Sequence, residues 1–431
     1  MTFFIFLVVL FFISYSLEDF YNLKFFSLSI FHLYSIYYAY NLRGFNAGIF
    51  FASISFLYII TGPADVFFWD DFISNNNFIT YSSVIDYSYK STVFFIFFYL
   101  LMFIEKSNKV INNFDYFLSN LFNPKPLFTS IFLIWIFLLF NYSYEFILGN
   151  NLFNRSASYA TPNKIFDFTK ITFLVLSIFY FSICNRRNSN IIPMIIIFAF
   201  LEVLIFGNRR LWLLGLLPII YLLKNKFSFN FLKLNIIVPL LAIAILAFLL
   251  PLTRGFGSNV NSVELFQFFL NFEFSNWIRP GNSEFIGVHI IHSSIYQNLL
   301  DDFSNTFFTS IYEAFPGFIV DRSGEVFSTK FVTTYFPDIS FIGGGFRGSL
   351  ITEIFLNFSY AGLIFFGIFF GKLFSINKNL FVLNAFFIYI FAFSISYDFV
   401  LIFQQIFLIC VIISFFYFIN FLLQYFAKEV N

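Results

Sequence analysis

Five arginines on one side of the predicted membrane are the residues best suited to binding an anion. They are Arg209, Arg210, Arg254, Arg279 and Arg347. A guanidinium group is a planar fork that holds phosphate through two parallel hydrogen bonds, and it stays charged at neutral pH. The positive-inside rule disfavours cations on the external side of the membrane. Arginines that are nevertheless present there therefore indicate a functional requirement for them.

Arg209 and Arg210 are adjacent, at the predicted tip of a helical hairpin at the membrane surface. Two guanidinium groups at headgroup depth could hold a lipid pyrophosphate, and simple anchoring in the interface is the alternative interpretation. Glu202 can share a helix face with Arg209, either as a structural ion pair or in catalysis. Arg254, at the end of a span, and Arg279, in the following loop, could converge on the same phosphate or form salt bridges within the loop.

Glu353 is a carboxylate inside a predicted membrane helix, shortly after the glycine run 343–345 and Arg347. Ser349, Glu353 and Asn357 recur every fourth residue, which makes one polar stripe on a helix predicted to start at Ser349. Glycine-rich turns and helix N-termini both favour anions. A carboxylate within a membrane is costly and by default functional, and a hydrogen-bond network between helices is the alternative.

Glu284 opens a predicted amphipathic helix, Glu284–Asp302, which carries His289 and His292 three residues apart. Its apolar residues recur near the helical period, so the helix could lie in the membrane interface. Two histidines without a third ligand do not make a metal site. A surface helix is the favoured interpretation of the pair, and a role as base or substrate contact is the alternative.

Composition indicates which kind of protein positions these groups. Of 431 residues, 59% are hydrophobic and 11% are charged, whereas a soluble domain carries about 25% charged residues. We therefore predict an all-α polytopic membrane protein. The net charge of +1 comes without a polybasic tail, so no nucleic-acid partner is predicted. The sequence has no P-loop, metalloprotease motif or Cys/His cluster, so neither a metal nor another cofactor is predicted.

Twelve apolar runs are candidate membrane helices, given that a span needs about 20 mostly apolar residues. They cover about residues 2–17, 25–40, 46–62, 90–104, 127–148, 167–183, 190–206, 210–223, 235–252, 349–371, 380–395 and 399–423. The predicted division is therefore helices 1–9 in residues 1–252, a long hydrophilic segment in 253–348, and helices 10–12 in residues 349–431. Gly367 and Gly371 form a G-x-x-x-G pattern, which predicts close helix packing.

Orientation follows from the positive-inside rule. With the N-terminus in the cytoplasm, the inside connections carry more Lys and Arg than the outside ones, and lysine dominates inside whereas arginine dominates outside. Both termini are therefore predicted to be cytoplasmic, and the segment Thr253–Gly348 is predicted to be external. The reverse topology is the alternative. Membrane enzymes that act on bulky, water-exposed substrates often carry such a segment, and transporters rarely do.

Three stretches resemble the O-antigen polymerase family. Gly207-Asn-Arg-Arg210 resembles the family's glycine–x–arginine helix start, with Arg209 the better match, and Pro251-Leu-Thr-Arg254 resembles the basic exit from the span before its loop. Residues 343–353 resemble its glycine-rich loop end and helix glutamate, and Asn357-Phe-Ser-Tyr-Ala-Gly362 resembles its N-F-G-x-x-G-like turn. Proteins of this family often have an arginine near an acidic residue at the external end of a late span. Here Asp398 supplies the acid but no arginine accompanies it, so whether Asp398 belongs to the functional site stays open.

The resemblance implies a glycosyltransferase of the bacterial inner membrane with the GT-C-like polymerase and ligase architecture. Its substrates would be two undecaprenyl-diphosphate-linked oligosaccharides, and one chain would pass en bloc to a sugar hydroxyl of the other. The diphosphate is already activated, so neither nucleotide nor metal is required, and arginines would stabilise its developing charge. Membrane lipid and a chain-length regulator protein are the other implied partners.

The resemblance also distributes roles over the candidate residues. Arg209, Arg210, Arg254 and Arg347 would bind the diphosphate, with Arg254 also acting in catalysis. Glu353 or Glu284 would be the base or a sugar contact. Arg279, His289 and His292 would be further substrate contacts.

Two other functions fit parts of the sequence. An O-antigen ligase shares the architecture and passes the glycan to lipid A instead. A flippase for lipid-linked oligosaccharides is the non-enzymatic alternative, but flippases usually have short loops and repeat symmetry, neither of which is visible here.

Overall fold

The computed structural model describes residues 1–17, 20–68, 80–104, 109–121, 124–147, 164–184, 191–202, 209–226, 287–296, 305–315, 326–335, 349–392 and 394–429. These residues form helices and the turns between them, with no strand in the described ranges. The α-helices, numbered in chain order, are α1 Thr2–Ser16, α2 Tyr21–Arg43, α3 Ala47–Phe68, α4 Tyr81–Ile104, α5 Lys109–Asn120, α6 Pro124–Ile147, α7 Lys164–Ile183, α8 Ile191–Leu201, α9 Arg209–Asn225, α10 Gly287–Tyr296, α11 Thr306–Glu313, α12 Phe327–Tyr335, α13 Leu350–Phe374, α14 Phe381–Phe391 and α15 Phe399–Glu429.

Within the described part of the chain, six helices are long and apolar enough to cross a membrane, namely α3, α4, α6, α7, α13 and α15. Their apolar stretches contain 19 to 25 residues, which at 1.5 Å per residue is about 28 to 38 Å. The hydrocarbon core of a bilayer is about 30 Å thick, so these lengths suit a spanning helix. Each of the six coincides with a predicted span.

Most of the other predicted spans coincide with shorter or more polar helices. The apolar parts of α1, α8, α9 and α14 contain between 10 and 17 residues. Helix α2 has 23 residues, but Lys24, His32 and several tyrosines make it more polar than the six. The predicted span 235–252 lies outside the described residues. Helix α5 is an addition, because the sequence predicts only a connection there.

The chain divides into two compact units. Unit 1 consists of Met1–Asn108, Glu273–Lys378 and Ile390–Leu408, so the described helices of the long segment, α10 to α12, belong to it rather than forming a unit of their own. Unit 2 consists of Lys109–Phe272, Asn379–Tyr389 and Ile409–Asn431.

Unit 1 is built around α4 and α13, which pack side by side. A Cβ at Gly367 would lie 2.5 Å from the carbonyl oxygen of Phe94, and a Cβ at Gly371 would lie 2.5 Å from that of Phe98. Only glycine permits this approach of two backbones, because real Cβ contacts are longer. The packing role predicted for the G-x-x-x-G pattern is therefore confirmed.

Phenylalanine rings fill the space beside these two helices. Phe51 on α3 is fully buried. Its ring centroid lies 5.2 to 5.9 Å from those of four rings on α4 and α13, namely Phe95, Phe98, Phe370 and Phe374. Aromatic rings at such distances pack favourably in stacked or edge-to-face pairs. The phenylalanine-rich composition thus supplies the core of unit 1.

Polar contacts hold together the helix ends that the sequence predicts to be cytoplasmic. Arg43 Nε donates to the carbonyl oxygen of Met102 at 2.9 Å. Asn46 Nδ2 donates to the carbonyl oxygen of Ile376 at 2.9 Å, while its Oδ1 accepts from the Ile49 N–H at 3.1 Å and so caps α3. This amide therefore links the start of α3 to the end of α13.

In unit 2, α7 packs against α6 and α9. Asp115 on α5 accepts a hydrogen bond from the Leu383 N–H at 2.8 Å, near the N-terminus of α14. The first N–H groups of a helix have no helical partner, so this carboxylate satisfies one of them. Lys226, just after α9, donates to the carbonyl oxygen of Ser182 near the end of α7.

Candidate functional site

Asp86, Lys90 and His292 form a cluster where α4 meets α10. Asp86 Oδ2 lies 2.5 Å from Lys90 Nζ, one turn along α4, and 2.6 Å from His292 Nε2. A carboxylate only accepts hydrogen bonds, so Nε2 carries the proton in this contact. The exposed fraction of the side chain is 20% for Asp86, 9% for Lys90 and 0% for His292. Asp86 is therefore the member of the cluster that is most open to a ligand.

The other nitrogen of His292 connects α10 to the start of α13. Nδ1 lies 3.1 Å from the Thr352 hydroxyl oxygen. The Thr352 and Ser349 hydroxyl oxygens lie 3.0 Å apart, and Ser349 is the N-cap of α13. A continuous chain of hydrogen bonds therefore runs from α4 through α10 to the N-terminus of α13.

His289 lies one turn before His292 and contacts α3. Its Nε2 lies 2.9 Å from the carbonyl oxygen of Tyr58 and 3.3 Å from the Gly62 nitrogen. A Cβ at Gly62 would lie 2.6 Å from the imidazole Cε1, so glycine is required for the ring to reach the backbone of α3. His289 thus holds α10 against α3 through backbone groups.

A proline in α3 explains a further polar contact beside this ring. Pro63 has no N–H, so the carbonyl of Ile59 loses its helical donor. The Ser88 hydroxyl on α4 donates to the Val84 carbonyl oxygen at 3.0 Å and also lies 3.4 Å from the Ile59 carbonyl oxygen. A buried carbonyl without a partner is costly, and a shared hydrogen bond from the neighbouring helix offsets part of that cost.

Both histidines are neutral because they are buried. Burial lowers the pKa of His289 to about 3. Burial likewise lowers the pKa of His292, against the opposing effect of the hydrogen bond to Asp86. The predicted surface helix is therefore wrong for this pair, since both side chains have no exposed area. The polar face of α10 packs against polar groups of α3, α4 and α13 instead of facing water.

Glu353 is fully buried, and both of its carboxylate oxygens accept hydrogen bonds. Oε1 accepts from the Ser310 hydroxyl on α11 at 3.1 Å, and Oε2 accepts from the Phe399 N–H at 2.8 Å. Phe399 is the first residue of α15, where N–H groups lack helical partners and the helix dipole is positive. Glu353 therefore fastens α11 and α15 to α13.

The polar stripe predicted on α13 is confirmed. Asn357 Nδ2 donates to the Thr306 hydroxyl at 2.9 Å, and Asn357 Oδ1 accepts from the Phe307 N–H at 3.2 Å. Together with Glu353, this amide holds the first turns of α11, which lies in the long hydrophilic segment. The stripe makes a hydrogen-bond network between helices, the alternative that the sequence left open.

Asp398 is buried directly before α15, and its charge acts on Glu353. The structure thus places the late acidic residue near the helix glutamate. Like charges at close range repel, so the two carboxyl groups influence each other's ionisation.

Helix α13 breaks its regular conformation at Ser359, with φ 54° and ψ −152°. This backbone region is essentially restricted to glycine. Ser359 occupies the third position of Asn357-Phe-Ser-Tyr-Ala-Gly362, the stretch predicted to resemble a turn. The predicted turn is therefore a break within a helix, and it holds a strained serine.

The remaining predicted site residues lie mostly outside the described structure. Arg254, Arg279, Glu284 and Arg347 are outside the described residues. Arg209 and Arg210 are the first described residues of α9, and their side chains are not among those described.

Asp86 and Lys90 are the site residues that sequence reasoning missed. The predicted span starts at residue 90, whereas α4 starts at Tyr81 and so includes Asp86. An acid and a base four residues apart at the start of an apolar helix were the available signal, because charged residues within a membrane helix are rare and usually paired.

Unit 2 contains a separate buried ion pair. Glu202 Oε1 lies 2.9 Å from Lys170 Nζ and also accepts a hydrogen bond from the Tyr142 hydroxyl. The exposed fraction is 0% for the Glu202 side chain and 4% for that of Lys170. Glu202 therefore forms a structural ion pair with Lys170. The predicted pairing of Glu202 with Arg209 is not tested, because the Arg209 side chain is not among those described.

Among the residues described, no three His, Cys, Asp or Glu side chains come together as a metal ion would need.

Comparisons with protein-family models, with curated proteins and with solved structures found no match to this chain.

Proposed function

We propose that the protein is a membrane glycosyltransferase that polymerises undecaprenyl-diphosphate-linked oligosaccharide repeat units. It would have twelve spans with both termini cytoplasmic, in the GT-C-like architecture and in the bacterial inner membrane. The growing glycan would pass en bloc from its lipid diphosphate to a hydroxyl of a fresh lipid-linked unit, producing O-antigen or a related surface polysaccharide.

One observation carries this proposal: the long segment docks onto titratable groups at one end of the membrane helices. Helix α10 contacts Asp86 and Thr352, and α11 contacts Glu353. These groups cluster at the starts of α4 and α13, two helices long enough to span a bilayer. A site built there would face a substrate whose lipid lies in the membrane and whose sugars lie in water.

The arginines supply the anion chemistry of the proposal. Arg209, Arg210, Arg254 and Arg347 would bind the diphosphate and stabilise the charge that develops when it leaves. Fixed cations of this kind act most strongly where water is excluded. Arg279 and the two histidines would contact the sugars, directly or through the groups that they hold.

The hydrogen bonds of Glu353 bear on which carboxylate could act as the catalytic base. Glu353 uses both oxygens for hydrogen bonds within the protein. This arrangement favours a positioning role for Glu353, because a base needs a free oxygen within reach of the hydroxyl proton. Glu284 remains a candidate from the long segment.

Synthesis of a glycan ladder by the purified protein tests the proposal. The protein is incubated with its lipid-diphosphate repeat unit, without metal or nucleotide, and the products are separated on a gel. Arg209→Lys and Arg254→Lys should each slow the ladder about tenfold or more, because lysine loses the bidentate fork. Arg186→Lys, at a connection predicted to be cytoplasmic, is the matched control and should leave the ladder unchanged.

Other outcomes separate the alternatives. If Arg209→Lys and Arg254→Lys leave the ladder unchanged, these arginines do not bind the diphosphate. In cells, loss of a polymerase leaves single repeat units, whereas loss of a ligase leaves polymer on the carrier lipid. Translocation of labelled lipid-linked oligosaccharide without any lengthening would identify a flippase.

A further inference from the structure

Asp86 has one oxygen held by the protein and one oxygen left over. Lys90 and His292 both contact Oδ2. Among the described residues, no hydrogen bond reaches Oδ1, and 20% of the side chain is exposed. Glu353, by contrast, is fully buried with both oxygens engaged. Asp86 is therefore the carboxylate of this region that a ligand hydroxyl could approach.

An exposed tyrosine of α13 lies within electrostatic range of this carboxylate. Tyr360 is 41% exposed, and the charge of Asp86 acts on its phenol. The ring centroid of Tyr89 lies 6.5 Å from that of Tyr360 in an edge-on arrangement. Aromatic faces pack against the C–H faces of sugar rings, while a carboxylate accepts hydrogen bonds from their hydroxyls. This combination suits a saccharide rather than a lipid chain.

The position of Asp86 along α4 suits such a ligand. Asp86 is the sixth residue of α4, so it lies about 8 Å from the start of the helix at 1.5 Å per residue. A sugar attached close to a lipid diphosphate would lie near the predicted external end of this helix, whereas the distal sugars of a long glycan would lie further out in water.

We propose that Asp86 is the catalytic base that binds and deprotonates the acceptor hydroxyl, with His292 and Lys90 as positioning residues. The inference rests on the proposed function. The acceptor O–H bond breaks and its proton moves to Asp86 Oδ1. The acceptor oxygen forms a bond to the anomeric carbon of the donor chain. The bond from that carbon to the diphosphate oxygen breaks, and the lipid diphosphate leaves with the electron pair.

The two partners of Asp86 act through Oδ2. The His292 N–H orients the carboxylate, and its own orientation is set by Thr352 on the opposite side of the ring. Lys90 balances the negative charge, and its ammonium group also lies 3.7 Å from the centre of the Phe355 ring. With Oδ2 fixed from two directions, Oδ1 points to one place, and a fixed base is more effective than a mobile one.

Asp86→Asn is the direct test, in the purified full-length protein supplied with the lipid-diphosphate repeat unit. An amide is close in shape but takes up no proton. General base catalysis typically contributes about 10² to 10⁴ in rate, so kcat should fall about 100-fold or more. Asp167→Asn, at a carboxyl group with 50% exposure in unit 2, is the matched control and should keep the wild-type rate.

Binding of undecaprenyl diphosphate shows whether the Asp86→Asn protein is still folded. The lipid should raise the melting temperature of this variant as it raises that of the wild type, because the arginines are untouched. A variant that binds the lipid but makes no ladder supports the inference. A variant that keeps a rate within about threefold of wild type overturns it, while the proposed function stands.

A pair of substitutions at His292 gives a second, independent readout. Glutamine places its amide N–H near the position of Nε2, whereas asparagine places it near Nδ1. Since Nε2 holds Asp86, His292→Gln should retain a substantial part of kcat, and His292→Asn should lose most of it. Equal rates for His292→Gln and His292→Asn would overturn the positioning role of His292. If the Asp86→Asn protein no longer binds the lipid, the comparison of these two His292 variants becomes the test of the inference. A wild-type protein that makes no ladder would overturn the proposed function and the base assignment together.

Discussion

Buried carboxylates at helix N-termini recur in this protein at the scale of single residues. In unit 1, Glu353 accepts from the Phe399 N–H, and in unit 2, Asp115 accepts from the Leu383 N–H. The partners are 46 and 268 residues apart in the chain. A carboxylate gains from the unpaired N–H groups and from the helix dipole. Sequence spacing does not reveal such pairs, because each depends on which helix end comes to lie beside the acid.

Ser359 carries strain that a single substitution should relieve. We expect Ser359→Gly to stabilise the protein by about 1 kcal/mol, because glycine tolerates φ 54° and removes a strain of about 1 to 3 kcal/mol at some entropic cost. Thermal unfolding in detergent measures the change. Ser143→Gly, at an exposed serine within α6, is the control and should destabilise by up to about 1 kcal/mol. Equal effects at both positions would contradict the strain.

Acid should destabilise the protein through its buried histidines. The folded pKa of His289 is about 3, against 6.5 for an exposed ring. Between these values the unfolded chain binds a proton that the folded chain excludes, so stability is full above about pH 6.5 and falls as the pH decreases towards 3. Protonation of this ring lowers the free energy of unfolding by at most about 1.4 kcal/mol per unit of decreasing pH.

Melting temperatures between pH 5 and pH 8 measure this effect. His289→Gln removes one of the titrating rings, so its melting temperature should fall less steeply in acid than that of the wild type. Identical slopes for the two proteins would mean that the ring is not held neutral in the folded state.

At the scale of elements, α10 shows why a hydrophobic pattern can be interpreted in two ways. Apolar residues alternate with His289, His292 and Ser293, which favours an amphipathic helix with one wet face. In the structure, the polar face meets other polar groups: Ser293 lies 2.5 Å from the Ser83 hydroxyl, and His292 contacts Asp86. A polar helix face can be buried when its groups find partners, and the partners here come from α3, α4 and α13. Among the described residues, His289 Nδ1 is the atom of this face that lacks a hydrogen bond.

The contact between α4 and α13 should depend on two glycines. We expect Gly367→Ala and Gly371→Ala each to destabilise the protein by about 1 to 3 kcal/mol, because a methyl group would meet a backbone carbonyl that cannot move aside. Gly287→Ala on α10 is the matched control, since no atom of the described residues lies within 4 Å of the added Cβ. Unfolding in detergent and loss of the monodisperse species on gel filtration measure the effect.

At the scale of the whole molecule, the helix ends of unit 1 sort into two groups that match the predicted topology. Contacts such as Arg43 with Met102 and Asn46 with Ile376 join ends predicted to be cytoplasmic. Contacts such as His292 with Asp86 join ends predicted to be external. The predicted order of crossings is therefore consistent with the packing within this unit.

Labelling of single cysteines should separate the two sides. In a Cys184→Ser, Cys410→Ser background, Ser82→Cys at the start of α4 should react with an impermeant maleimide in intact cells. Asn377→Cys, after α13, should react only when the membrane is permeabilised. Both positions are exposed in the structure. The reverse pattern would invert the orientation, and equal labelling of both would contradict the two-sided arrangement.

Local sequence determines much of this protein. Apolar runs of spanning length determine the helices α3, α4, α6, α7, α13 and α15, because a lipid environment requires every backbone group to bond within its own segment. Residues close in the chain also determine local features, such as the polar stripe from Ser349 to Asn357 and the G-x-x-x-G packing face. All of these depend on residues within a few helical turns.

Only the tertiary structure decided which polar groups meet. Asp86 and His292 are 206 residues apart, and Ser310 and Glu353 are 43 apart. Their contacts exist because α10 and α11, from a segment that is hydrophilic as a whole, fold back among the long apolar helices. A buried charge or imidazole is stable only with partners at hydrogen-bond distance, and those partners are supplied by packing rather than by sequence position.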